Sequence, residues 1–201
     1  MLDAKIRPLI DGPLNRVGVA LAERGIAAHE VTLFGLFMGL LAAALLAVGL
    51  PGALALVPLA LGRLADGLDG AVARATEVTD FGGFLDILCD FAFYAAVPLA
   101  FALRDDANGA AAAFLLAAFY INGASFLGFA IMAQKRGLET KAQGIKSLYY
   151  SAGLLEGTET IAFFALLCLW PEAFRPLAVI FAILCLFTTV ARAALARRVF
   201  G

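Results

Sequence analysis

The chain has 201 residues, of which 63% are hydrophobic and only 15% are charged, and its mean hydropathy is +0.92. Soluble domains of this length are usually about half apolar and about one quarter charged. The composition therefore excludes an ordinary soluble domain and predicts a polytopic membrane protein of the all-α class. The formal net charge of -1 favours no class of partner, and we expect no nucleic acid among them.

Residues 1–26 predict an amphipathic helix that lies on the membrane surface. Apolar side chains recur there at helical spacing with basic residues between them: Ile6, Leu9, Ile10, Leu14, Val17 and Leu21. We expect this juxtamembrane helix to be followed by a single catalytic domain of six transmembrane helices, over residues 27–201.

Residues 31–62 contain no Asp, Glu, Lys or Arg, and the Leu-Pro-Gly sequence at 50–52 is a turn signal in the middle of this stretch. A spanning helix needs about 20 residues, so the stretch is too long for one helix and too short for two. The second helix must therefore continue through Asp66 and Asp69. These two carboxylates are predicted to lie on a transmembrane helix near one membrane face.

The remaining apolar segments predict four more helices, over about 79–103, 110–133, 150–170 and 175–196. With six helices, eleven Lys and Arg residues fall on the side of the two termini and two fall on the opposite side. Because cytoplasmic loops carry an excess of Lys and Arg, we expect a multi-pass membrane protein whose aspartate site faces the cytoplasm.

Five aspartates lie within residues 66–90, and four of them form two pairs on the border of these apolar segments. Asp66 and Asp69 are three residues apart, and Asp86 and Asp90 are four apart, so each pair occupies one face of its helix. Ionisable side chains at membrane depth are costly and usually mark function. Four carboxylates on two helices form a cage of the kind that hard divalent cations prefer.

Arg63 and Arg74 suggest a purely structural alternative, in which the aspartates only form ion pairs with these arginines. Two guanidinium groups cannot neutralise four buried carboxylates, so we favour the functional interpretation. For Arg74 alone, a role in snorkelling or in setting the topology also stays open.

The segment resembles the signature of the CDP-alcohol phosphatidyltransferases, D-x2-D-G-x2-A-R-x8-G-x3-D-x3-D. The matching residues are Asp66, Asp69, Gly70, Ala73, Arg74, Gly82, Asp86 and Asp90. Seven residues rather than eight separate Arg74 from Gly82, in the predicted turn between two helices. Of the family's T-P-N-x-x-T sequence before its first helix, this chain keeps only Thr32.

The resemblance implies an integral membrane transferase of phospholipid biosynthesis. Such an enzyme moves a phosphatidyl or other substituted phosphate group from a CDP-linked donor, for example CDP-diacylglycerol, to an alcohol acceptor and releases CMP. The resemblance also implies two Mg²⁺ or Mn²⁺ ions, a homodimer, and surrounding membrane lipid.

The resemblance assigns roles to particular residues of this sequence. The metal ligands would be Asp66, Asp69, Asp86 and Asp90, and Asp90 would also be the catalytic base. The contacts to the donor nucleotide and its phosphates would come from Thr32, Gly70, Arg74, Thr79, Asp80 and Gly82. For Asp80 a simple solvated position is the alternative.

Two interpretations of the acceptor pocket stay open. Four basic residues could bind an acceptor phosphate or could only follow the positive-inside rule: Lys135, Arg136, Lys141 and Lys146. Glu156 and Glu159 could face an ammonium group or could cap a helix N-terminus. We lean to a phosphorylated or polyol acceptor.

A divalent-metal or proton-coupled transporter is the rival function, because intramembrane carboxylates also line transport paths. All four aspartates cluster near one predicted membrane face, and the sequence contains no visible inverted repeat. Both observations favour the transferase.

Overall fold

The computed structural model describes the backbone of residues 3–138, 155 and 157–201, with side chains from residue 11 onward. Within these ranges the chain is helical and contains no β-strand, which confirms the all-α class. The α-helices are α1 (Asp3–Glu23), α2 (Ala28–Ala47), α3 (Gly52–Ala75), α4 (Asp80–Arg104), α5 (Gly109–Lys135), α6 (Gly157–Leu169) and α7 (Phe174–Phe200). Short 3-10 helices at Asp106–Asn108 and Pro171–Ala173 precede α5 and α7.

Four segments of the described chain are long and apolar enough to cross a membrane: Ala28–Ala47, Asp80–Arg104, Asp106–Lys135 and Pro171–Phe200. The six predicted spans would also need α3 and α6. Helix α3 has 24 residues, but Arg63, Asp66 and Asp69 lower its hydropathy. Helix α6 covers 13 residues after the segment that the structure leaves undescribed.

The helix boundaries put both predicted aspartate pairs on helices. Helix α2 ends at Ala47 and α3 begins at Gly52, so the turn lies at the Leu-Pro-Gly sequence. Helix α3 then continues through Asp66 and Asp69, and α4 begins at Asp80 and carries the other pair.

Glycines allow α2 to approach α3 closely beside this region. A Cβ atom added to Gly62 would lie 2.9 Å from the carbonyl oxygen of Gly35, and one added to Gly35 would lie 3.2 Å from that of Gly62. Small residues at helix crossings let the two backbones come together in membrane proteins. This crossing brings the first turns of α2 next to the middle of α3.

Helix α1 packs on α3 in a similar way. A Cβ atom on Gly18 would lie 2.6 Å from the Cβ atom of Ala71, so any larger residue would force the helices apart. Gly67 faces Leu14, and a Cβ atom added there would lie 3.2 Å from a methyl carbon of that side chain. The N-terminal helix is therefore fixed against the helix that bears the first two aspartates.

The apolar core lies toward the other end of the bundle. The rings of Phe101 and Phe174 stack with centroids 4.3 Å apart and planes inclined by 4°, and both side chains are 0% exposed. Phe93 and Phe164 are equally buried and meet edge to face. This core holds α4, α6 and α7 in the positions from which α4 presents its carboxylates.

Candidate functional site

Three carboxylates from two helices meet at one point. One oxygen each of Asp66 on α3 and of Asp86 and Asp90 on α4 lies within 4.8 Å of the others. Three of the four aspartates of the predicted cage are thus close together in the fold. Carboxylate oxygens are the ligands that Mg²⁺ and Mn²⁺ prefer, so the donor set fits a hard divalent cation.

Asp69 lies beside this group, with both oxygens engaged in hydrogen bonds. The Thr32 hydroxyl on α2 donates to Oδ2 over 2.7 Å, and the Gly70 N–H donates to Oδ1 over 2.6 Å. The side chain is 7% exposed. Thr32, which matches the last residue of the T-P-N-x-x-T sequence, therefore orients Asp69 of the aspartate signature.

Arg63 connects the two carboxylate-bearing helices. Its Nη1 donates to Asp90 Oδ1 over 3.1 Å and lies 3.5 Å from Asp66 Oδ1. The guanidinium lies 4.4 Å from the centroid of the Phe93 ring. Ion pairing by arginine, which the sequence presented as the structural alternative, is therefore real for Arg63 and two of the aspartates.

Arg74 takes a different position. Its Nη2 donates to Asn15 Oδ1 on α1 over 2.9 Å, and the side chain is exposed. A Cβ atom on Gly70 would lie 3.3 Å from Arg74 Nη1, so glycine leaves room for the guanidinium. The contact with α1 orients Arg74 at the exposed end of α3.

The turn between α3 and α4 is organised by a helix cap. The Thr79 hydroxyl accepts a hydrogen bond from the Gly82 N–H over 3.0 Å at the N-terminus of α4. Asp80 is exposed in the first turn, where a negative charge suits the helix dipole. Thr79, Asp80 and Gly82 are predicted to contact the CDP-linked donor. They thus also stabilise the start of α4.

A cavity of about 980 Å³ opens beside the carboxylates. Arg63, Asp66 and Asp90 form part of its wall, and the rest comes mainly from α4, α5, α6 and α7. Aromatic side chains line much of it: Phe91, Tyr94, Phe119, Tyr120 and Phe126. The cavity gives a substrate access to the carboxylates along an amphipathic wall.

The structure places only some of the residues of the predicted acceptor pocket. Arg136 donates to the carbonyl oxygens of Val199 and Phe200 over 3.2 and 2.6 Å, so it caps the C-terminus of α7. Lys135 and Glu159 lie in the last turn of α5 and the first turn of α6. Three others lie outside the described residues: Lys141, Lys146 and Glu156.

The sequence pattern of the CDP-alcohol phosphatidyltransferases matches residues 26–191. The chain belongs to this family. It is 47% identical over 193 residues to the inner membrane protein YnjF of Escherichia coli, a match that covers 96% of this chain and 93% of the relative. It is 44% identical over 88 residues to the archaetidylinositol phosphate synthase of Pyrococcus horikoshii, covering 43% and 46%.

As a CDP-alcohol phosphatidyltransferase, the chain is a membrane enzyme that transfers a substituted phosphate group from a CDP-linked donor to an alcohol, in phospholipid biosynthesis. This confirms the family predicted from the signature. The transporter interpretation finds no support in these similarities.

One charged residue of the phosphatidyltransferase cavity was not predicted from the sequence. Arg192 on α7 is 6% exposed, lines the cavity, and donates from Nη1 to Asn122 Oδ1 over 2.9 Å and to Ser125 Oγ over 2.6 Å. It was missed because Arg197 and Arg198 follow shortly and suggest a helix end. An arginine inside an apolar helix was the available signal.

Proposed function

We propose that this phosphatidyltransferase is metal-dependent and that its four motif aspartates hold two Mg²⁺ or Mn²⁺ ions. The observation that carries the proposal is the meeting of Asp66, Asp86 and Asp90 within 4.8 Å. Asp69 would complete the ligand set, because it is oriented on the same face of α3 by Thr32. The bound ions would neutralise charge on the diphosphate oxygens of the donor.

Asp90 is proposed as the general base. It lies on the cavity wall, where an acceptor hydroxyl arriving through the cavity would meet a carboxylate. An aspartate within hydrogen-bond reach of that hydroxyl takes its proton as the oxygen attacks phosphorus. The hydrogen bond from Arg63 limits the rotation of the Asp90 carboxylate.

The donor is proposed to lie over the exposed end of α3 and the start of α4. Arg74 would pair with a donor phosphate, since its guanidinium is exposed and oriented by Asn15. Gly70 would admit the nucleotide to the backbone. The remaining contacts would come from the α2 and α4 termini: Thr32, Thr79, Asp80 and Gly82.

We propose six membrane spans, with α3 and α6 added to the four evident ones. Helix α3 has 24 residues, which exceeds the roughly 20 that a span needs. Residues 1–26 would lie on the membrane surface, residues 27–201 would form the catalytic domain, and the site would face the cytoplasm of a homodimer. The bias of eleven basic residues against two supports this orientation.

The orientation has a direct test in whole cells. A cysteine at Glu77, in the α3–α4 turn, should be protected from a membrane-impermeant maleimide, whereas one at Asp106, before α5, should react. Permeabilised cells should label both variants. Labelling of the Glu77→Cys variant in intact cells would reverse the proposed orientation.

The acceptor is proposed to be a phosphorylated alcohol or polyol. Arg192 supplies a buried positive charge on the cavity wall, where its hydrogen bonds to Asn122 and Ser125 orient the guanidinium. The relative named as an archaetidylinositol phosphate synthase supports the same class.

The deciding experiment is a CMP-release assay. Purified protein would receive CDP-diacylglycerol with glycerol phosphate, inositol phosphate, inositol or serine, and the lipid products would be identified by mass. We expect CMP release only with an acceptor and a divalent cation present. Selective turnover of serine would contradict the proposed acceptor class, and the absence of CMP release with every acceptor would contradict the choice of donor.

A further inference from the structure

Arg63 places a positive group against two carboxylates of the proposed metal site. It lies one helical turn before Asp66, and Nη1 contacts Oδ1 of Asp90 at 3.1 Å and Oδ1 of Asp66 at 3.5 Å. Only 16% of its side chain is exposed. A single positive group thus contacts two of the three carboxylates that could hold a metal ion.

The ring of Phe93 lies against this guanidinium, 4.4 Å away at its centroid. Phe93 is 0% exposed, and a Cβ atom added to the adjacent Gly39 of α2 would lie 2.5 Å from a carbon of its ring. The ring therefore cannot shift toward α2. A guanidinium stacked on a fixed aromatic face is held by cation–π attraction as well as by its ion pairs.

The hydrogen bonding of Arg63 is nevertheless incomplete. Its Nε atom is buried and has no hydrogen-bond partner among the residues that the structure describes. An unsatisfied buried donor carries a free-energy cost. Arg63 is therefore held by its two ion pairs and by the Phe93 ring, and a divalent cation at the same oxygens would compete with the ion pairs.

We propose that Arg63 is an internal counter-cation of the carboxylate cluster. It keeps Asp66 and Asp90 together in the metal-free enzyme and competes with the divalent cation for their oxygens. The inference rests on the proposed metal site. Three carboxylates without a counter-charge repel one another, whereas a guanidinium about 3 Å from a ligand oxygen also repels an incoming dication.

Arg63 is expected to stabilise the metal-free enzyme and to weaken the binding of the metal ion. Without metal, loss of the positive charge should lower stability, because the repulsion between Asp66 and Asp90 is no longer offset. With metal, the same loss should tighten binding, because the dication no longer displaces a cation. A residue that merely packed against Phe93 would lower stability equally in both states.

Binding of Mn²⁺ to the purified full-length protein, followed by electron paramagnetic resonance without donor or acceptor, tests this inference. For Arg63→Met and Arg63→Gln we expect the Kd for Mn²⁺ to fall by about tenfold or more, since a full charge is removed at contact distance. For Arg63→Lys, which keeps the charge, we expect a Kd near that of the unaltered chain. Thermal unfolding should show a lower metal-free Tm and a larger rise with Mn²⁺ in the two neutral variants.

Arg104→Met is the matched control. Arg104 donates to the carbonyl oxygens of Leu46 and Leu50, away from the carboxylates, so its loss should leave the Kd for Mn²⁺ unchanged. If Arg63→Met does not fold, Arg63→Gln and Arg63→Lys still separate charge from shape. Equal Mn²⁺ affinity in the Gln and Lys variants, or weaker binding in the neutral variants, would overturn the proposal.

The failure of this inference is distinguishable from failure of the proposed function. If the unaltered chain binds no Mn²⁺, both the metal site and the role of Arg63 are wrong. If it binds Mn²⁺ but the neutral variants bind no more tightly, only the role of Arg63 is wrong. If no acceptor supports CMP release, the result for Mn²⁺ is unaffected.

Discussion

Arg63 and Arg104 show how differently the two ends of the bundle use the same residue type. At the site end, Arg63 meets the carboxylates of Asp66 and Asp90 on two helices. At the opposite end, Arg104 donates to the carbonyl oxygens of Leu46 and Leu50, where α2 ends. The first arrangement places opposite charges together inside the site, and the second satisfies backbone groups that a helix terminus leaves open.

The surroundings of the two arginines differ in the same way. Near Arg104, Asn108 donates to the carbonyl oxygen of Phe101, whose ring stacks on Phe174. Near Arg63, the carboxylates of Asp66 and Asp90 lie on the wall of a cavity of about 980 Å³. The end with Arg104 is thus stabilised by packing and helix capping, whereas the end with Arg63 has charged side chains beside a cavity. Substitutions at the two ends should affect activity and stability in opposite proportion.

Removal of metal should have the largest effect on turnover. We expect excess chelator to abolish CMP release and Asp66→Asn to lower it by roughly 10³-fold or more, because bound metal ions supply several kcal/mol of charge stabilisation. The CMP-release assay measures both. Asp106→Asn, the same change at the opposite end, should retain normal turnover. Full activity in chelator with no residual metal would contradict the metal-dependent mechanism.

The substitution Asp90→Asn should have the next largest effect on turnover. We expect transfer to fall by about 10²–10⁴, the usual range for loss of a general base, while donor binding persists. Equilibrium binding of the CDP-linked donor, measured beside single-turnover transfer, separates the two. A parallel collapse of donor affinity and transfer would make Asp90 mainly a ligand.

Arg192→Met should affect the acceptor alone. Hydrogen bonds to charged groups contribute about 1.5–3 kcal/mol, so we expect the acceptor KM to rise by roughly 10- to 100-fold with little change in the donor KM. Steady-state kinetics with each substrate varied in turn measure this split. Arg198→Met, an exposed change on the same helix, is the control. An unchanged acceptor KM would remove Arg192 from the acceptor site.

Phe174→Ala should have the smallest effect on turnover and a large effect on stability. Truncation of a fully buried phenylalanine costs about 3–5 kcal/mol, since it removes the stacking partner of Phe101 and leaves a cavity. Thermal unfolding in detergent should show the loss, and kcat per folded molecule should stay normal. A fall in kcat of the folded fraction would mean that the two ends are coupled.

The sequence by itself determined the helical class, the turn before Gly52 and the pairing of aspartates on α3 and α4. These features depend on local periodicity, on the length of the apolar stretch at residues 31–62, and on spacings of three and four residues. Each can be read from a continuous stretch of the chain, without knowing which helices pack together. The signature of the family is equally local, so the order and spacing of its residues were enough to predict the family.

Only the tertiary structure decided which charged groups meet. Arg63 and Asp90 are 27 residues apart, Arg192 and Asn122 are 70 apart, and Arg136 caps the end of α7 across the bundle. Such contacts depend on where helices cross, and the crossing of α2 and α3 depends on the close approach of Gly35 and Gly62. A local pattern gives the face of a helix on which a side chain lies, whereas the partner on the next helix follows only from packing.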